Sequence, residues 1–215
     1  MKGIMLKDLY ENFYIKKNLA SYIFGTLIIG LAAFFIDTSY AFILYTMLLT
    51  IVFGSATLEA SYEQDEKANF YKLQFTFPMT KAEIVVSKYL LALICTGISL
   101  LIALIYALAS VYLRHLVTLT EALTVWGLSI CVSLVFTSVV YIFYFLLGKK
   151  IGTIIYVAAA VILGGMYGSS TVFIGIESYT SMDMAARLWF LLPASVVVFV
   201  LSCLLSIQIY KKKYS

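Results

Sequence analysis

An all-α membrane protein with six transmembrane helices and both termini in the cytoplasm is the fold class that the sequence predicts, on three observations. The chain is 63% hydrophobic and 12% charged, whereas an ordinary soluble domain is about 45–50% apolar and about 25% charged. Apolar runs of the length needed to cross a hydrocarbon core about 30 Å thick, about 20 helical residues, occur six times. The lysines, finally, fall only in alternate segments between those runs.

Residues 1–18 precede the first run and are predicted to form an amphipathic helix lying in the membrane interface. Leu6, Leu9, Tyr10, Phe13 and Tyr14 recur at helical spacing, while Lys7, Asp8, Glu11, Asn12 and Lys16 fall mostly between them. Lys16 and Lys17 can reach anionic headgroups along their apolar stems. Membrane anchoring and contact with a cytoplasmic partner both fit this segment. Its charge, and the span-like length of the run that follows, argue against a cleavable signal peptide.

Residues 19–215 are predicted to be one transmembrane domain, with spans at Leu19–Ile36, Tyr40–Leu58, Leu90–Leu113, Ala122–Leu147, Ile151–Ile176 and Leu188–Tyr210. Asp37–Ser39 leaves room only for a tight turn, so the first two spans are expected to form an antiparallel hairpin. The turn at Gly148–Lys150 makes the same case for the fourth and fifth. After Leu163 the fifth run becomes GGMYGSSTVFIG, with four glycines and three hydroxyl residues in 12 positions. Each glycine costs a helix about 1 kcal/mol relative to alanine, so a break is expected near Gly164–Gly168, giving a broken or re-entrant segment between spans five and six. Gly164, Gly165 and Gly168 are then candidates for an outer gate, with close helix packing on small residues as the competing reading. Glu177–Arg187 is the longest segment expected outside the cell.

With six spans, the N-terminus, the Glu59–Tyr89 segment, the Gly148–Lys150 turn and the C-terminal tail share one side and carry every lysine. The other side carries only Arg114 and Arg187. That bias puts both termini and the 59–89 loop in the cytoplasm. The net charge of +4 is thereby explained by topology, and nucleic acid is not an expected partner.

Several chemistries are excluded by what the spans lack. No charged residue lies inside them, and Glu121 lies just outside the fourth, which argues against an ion-coupled carrier. His115, beside Arg114, is the one histidine, so a paired-histidine zinc site cannot be built. There is no G-x-S-x-G, and the sequence GKKIG at Gly148 lacks both the earlier glycine and the hydroxyl of a phosphate-binding loop. Neither a catalytic residue nor a metal or cofactor site is expected. Cys95, Cys131 and Cys203 sit singly in apolar runs, as packing thiols do. Tyr141, Phe143, Tyr144 and Phe145 show how aromatic the spans are; a pathway among such residues suits an amphipathic or lipid-like cargo better than a hydrated ion.

The 59–89 loop is the longest polar stretch. Glu59, Glu63, Asp65 and Glu66 form an acidic cluster, followed by the aromatic residues Phe70, Tyr71, Phe75 and Phe77 and then by Pro78. Thr80 and Glu83 make a T-x-x-E capping box that starts the helix leading into the third span. The loop is thus expected to run helix, break, helix. Aromatic residues on so short a loop are expected to bury against lipid headgroups or another protein.

An acidic cluster after the second span, followed by a Pro-apolar-hydroxyl-basic motif and a lysine entering the third span, resembles the membrane subunit of type-two ATP-binding-cassette (ABC-2) exporters. The residues that carry the resemblance are Glu63, Glu66, Pro78, Met79, Thr80, Lys81, Glu83 and Lys88, and the six-span layout extends it over the whole chain. Where many members have a Gly-Thr-Leu-Glu-like segment this chain has ANFYKLQF, in which it looks like a short Gram-positive branch linked to export of, or immunity to, antimicrobial and amphipathic peptides such as phenol-soluble modulins. The resemblance implies a permease subunit in a bacterial plasma membrane that does not itself hydrolyse ATP. ATP and magnesium would be bound by an ABC ATPase subunit, two copies of it, working with a second permease copy in a homo- or heterodimer. It further implies that Asn69–Lys81, including Phe70, Tyr71, Phe75, Phe77, Pro78, Met79, Thr80 and Lys81, contacts the ATPase, with Glu63, Asp65 and Glu66 pairing with basic groups nearby. A membrane scaffold or immunity protein without transport is the alternative, since no substrate-binding residue is identifiable.

Overall fold

The structure is a computed structural model; it describes residues 2–36, 38–67, 80–173 and 182–213. Among these residues every regular element is an α-helix, with α1 at Lys2–Phe13, α2 at Lys16–Phe35, α3 at Ser39–Lys67, α4 at Lys81–Tyr112, α5 at Leu119–Leu147, α6 at Lys149–Phe173 and α7 at Met182–Lys213. Five of them, α3 to α7, are long and apolar enough to cross a membrane. They coincide with the second to sixth expected spans. The first expected span is helical as α2, which begins at Lys16 rather than Leu19.

α5 is the centre of the bundle, packing on α3, α4, α6 and α7, while α2 lies at the edge against α1 and α3. The core is aromatic where α3, α4, α5 and α7 converge. Tyr89 of α4 sits edge-on to Tyr141 of α5 and to Phe199 of α7, at 4.9 and 5.2 Å between ring centres. Its hydroxyl meets Ser202 and Ser206 of α7 at 2.6 and 2.8 Å. Tyr141 places its own hydroxyl 3.1 Å from that of Thr57 on α3. Each buried phenol therefore finds a partner on a neighbouring helix, as burial of a polar group requires.

The closest approach in the bundle falls at Gly54 of α3. A Cβ there would overlap the Thr96 hydroxyl of α4 and come within 3.1 Å of that of Thr137 on α5. Small residues that let backbones approach are how helices associate without a hydrophobic drive between them.

Gly164–Gly168 does not break the chain. α6 runs as one helix from Lys149 to Phe173, which corrects the expected interruption and its broken span. Three glycines cost a helix about 1 kcal/mol each, but unpaired backbone groups in hydrocarbon cost several kcal/mol each, so the continuous helix wins. A Cβ at Gly164, Gly165 or Gly168 would meet nothing within 4 Å, so among the described residues these glycines serve no tight contact. The re-entrant reading otherwise falls on residues 174–181, outside the described residues. Met182–Arg187, expected as connecting loop, already belongs to α7.

The turns are as short as expected. Gly148 alone separates α5 from α6, at φ +80°, a conformation that glycine adopts without strain. Thr80 and Glu83 form the expected capping box at the start of α4, and Thr118 with Glu121 forms a second one at the start of α5.

Candidate coupling site

One end of the bundle gathers the charges. Lys213, at the end of α7, donates to the Phe145 and Leu146 carbonyls at 3.3 and 3.4 Å, capping α5. Lys149 at the α5–α6 turn lies 3.5 Å from Glu66 at the end of α3, and Glu63 pairs with Lys67 at 2.5 Å and with Lys17 of α2 at 3.2 Å. The lysine-rich segments that the charge bias assigns to one side thus meet at one end of the bundle.

Beneath this rim lies a buried ionic cluster. The Lys88 ammonium of α4, 4% exposed, sits 3.3 Å from Asp8 of α1 and 3.2 Å from Asp65 of α3. Asp8 is fully buried. Lys7 pairs with Asp65, and also with Asp8 at 3.2 Å and Glu11 at 3.3 Å. The Tyr62 ring faces Lys88 at 5.4 Å, within range of a cation–π contact. Two ammonium groups therefore meet three carboxylates. Burial pushes the Glu11 carboxyl above its ordinary value, against the pull of Lys7.

Asn12 fastens the same helix with neutral bonds. Its amide donates to the Asp8 carbonyl at 2.8 Å, to Ser61 Oγ at 3.2 Å and to the Thr57 carbonyl at 3.4 Å, and its oxygen accepts from the Tyr22 hydroxyl at 2.8 Å. α1 is thereby bound to α2, α3 and α4 together.

This reverses the simplest view of an amphipathic segment. Asp8 and Asn12 face the protein, while Leu6, Tyr10 and Tyr14 are 66%, 58% and 74% exposed. The polar stripe Asp8, Glu11, Asn12 has the i, i+3, i+4 spacing of a core face, and its partners are equally polar. The outward apolar face is the one that suits a membrane interface.

Of the residues singled out in the 59–89 loop, Glu63 and Glu66 lie near the surface and Asp65 is buried. All three carboxylates have lysine partners within this chain. Thr80 and Lys81 begin α4, while Phe70, Tyr71, Phe75, Phe77, Pro78 and Met79 lie outside the described residues. Lys7, Asp8, Asn12 and Tyr62 were not singled out as site residues. The spacing of Asp8, Glu11 and Asn12 was the available signal; it does not say which side of the helix meets protein.

Asp8, Glu11 and Asp65 each bring a carboxylate oxygen within 4.8 Å of the others, a grouping that could hold a cation. Lys7 and Lys88 already place their ammonium groups on these carboxylates, so the charge a metal would supply is provided by the chain itself.

These features define a polytopic helical membrane protein whose loop-flanking helices are tied at one end to an amphipathic N-terminal helix. Residues 3–214 match the family described as ABC-2 family transporter protein, and the chain belongs to that family. Membership makes it the membrane component of an ATP-binding-cassette transporter, a transport subunit that works with an ABC ATPase. No curated protein and no solved structure matches the chain.

Proposed function

We propose that this chain is the permease of an exporter that moves an amphipathic peptide, lipid-like or drug-like substrate out of a bacterial cell across the plasma membrane. ATP and magnesium are held by the ATPase subunit, of which two copies act on two permeases, identical or related. Both termini and the 59–89 loop face the cytoplasm, α2 provides the first of six spans, and residues 1–18 form the interfacial segment of the 19–215 transmembrane domain. Residues 69–81 rest on the ATPase and receive its motion.

The observation that carries this reading is the Lys88–Asp8–Asp65 link. It joins the helix that enters the 68–79 segment, the helix that leaves it, and α1. A push on that segment therefore moves three helices as one body, because breaking a buried ion pair by separating its members costs about 3–5 kcal/mol. In this scheme Asp65 holds the lever together from inside, and Glu63 and Glu66 remain near the surface at the site of contact. The cargo class is supported by the linings of the clefts. A cleft of about 520 Å³ between α5, α6 and α7 is walled by residues such as Val135, Phe136, Ala159 and Ile162, and one of about 240 Å³ between α3, α5 and α6 by Met47, Ile51, Leu163 and Tyr167.

The test is co-purification of an ATPase subunit whose turnover depends on this chain in proteoliposomes. An ATPase that neither binds the chain nor responds to it would leave the scaffold or immunity reading in its place.

A further inference from the structure

A third cleft, of about 370 Å³, opens between α2 and α3 near the lysine-rich end. α2 packs only on α1 and α3 among the described residues, so the cleft lies at the flank of the bundle. Lys17 and Glu63 line its outer part and neutralise each other at 3.2 Å. Glu59 lines it one helical turn deeper on α3, and Gly25, Ile29, Val52 and Ala56 form an apolar wall.

Glu59 is the group this arrangement leaves unmatched. Its Oε1 accepts from Thr153 at 3.3 Å, and among the described residues no lysine or arginine forms an ion pair with it. The nearby hydroxyls are already engaged: Ser21 with the Lys17 carbonyl, Thr26 with the Tyr22 carbonyl, and Tyr22 with Asn12. A carboxylate at the edge of an apolar wall is costly unless a cation meets it.

We propose that the α2–α3 cleft is a binding site for a single-chain cationic amphiphile, its ammonium head on Glu59 and its apolar chain along Gly25, Ile29, Val52 and Ala56. The volume lies at the small end of the about 300–1,000 Å³ usual for small-molecule sites, which suits one chain. As a statement about transported cargo this rests on the exporter reading; as a binding site it does not.

The experiment measures binding of radiolabelled dodecyltrimethylammonium, and of dodecyl sulfate for comparison, to the full-length chain in phosphatidylcholine nanodiscs, against empty nanodiscs. Saturable binding of the cation is expected, with dodecyl sulfate no higher than in empty discs. Glu59→Gln keeps an acceptor for Thr153 and removes the charge, and is expected to weaken binding about tenfold or more, as loss of a charge-assisted contact does. Gly25→Leu keeps the charge but fills the cleft, since a Cβ at Gly25 meets nothing within 4 Å, and is expected to weaken binding as well. Binding equal to that of empty discs, equal binding of both detergents, or unchanged affinity in both variants would overturn the proposal. Because no ATP or ATPase is present, such a result leaves the exporter reading standing, and failure of that reading leaves this binding result intact.

Discussion

Lys88 reaches Asp8, 80 positions earlier in the chain, at 3.3 Å in a buried site. With Asp65 it ties α1 to the helices on either side of residues 68–79. Lys88→Met would leave Asp8 and Asp65 opposed by Lys7 alone. A loss of about 3–5 kcal/mol is expected, read as a lower melting temperature in detergent. Adding Asp8→Asn should recover part of the loss by removing an uncompensated carboxylate; strictly additive losses would contradict the pairing.

Glu11 is expected to behave unlike Asp8. Burial raises its pKa, so the folded protein disfavours its charged form. The resulting penalty is full above the raised value and vanishes below about 4.3, the ordinary glutamate value. Glu11→Gln should therefore be neutral or stabilising at neutral pH, with the advantage shrinking on acidification. Asp8→Asn at neutral pH should destabilise. Melting curves of the two variants between neutral pH and pH about 4 check the sign.

Two kinds of glycine separate packing from decoration. Gly54→Ala drives a methyl into Thr96 and Thr137 and should cost about 1–3 kcal/mol by overpacking, partly relieved by Thr96→Ala. Gly164→Ala, Gly165→Ala and Gly168→Ala each add a methyl in open space and should leave stability unchanged or raise it by up to about 1 kcal/mol. Export lost in the latter three, with the protein stable, would support a gate at those positions.

The five candidate spans α3 to α7 were legible because each is a long apolar run, and the capping box at Thr80 and Glu83 because its spacing is local. The unbroken α6 was not, since glycine count measures helix propensity while the bilayer penalises unpaired backbone more strongly. The ionic cluster was hidden for a different reason. Lys88 and Asp65 flank a polar loop and look solvated there, and Asp8 sits in a helix whose apolar stripe claims attention. Only the packing of α1 on α3 and α4 shows that the polar stripe faces inward. Glu59, a member of the acidic cluster in sequence, is distinguished from Glu63 by a single turn of helix and by having no ion-paired lysine among the described residues.

In the proposed mechanism ATP energy enters through residues 69–81, which include Phe77 and Pro78. The direct measurement is substrate exported per ATP hydrolysed in proteoliposomes holding the chain and its ATPase, for the wild type and for Phe77→Ala with Pro78→Ala. The variant is expected to fold and to keep hydrolysing ATP while export falls to background. Export per ATP unchanged from the wild type would contradict it.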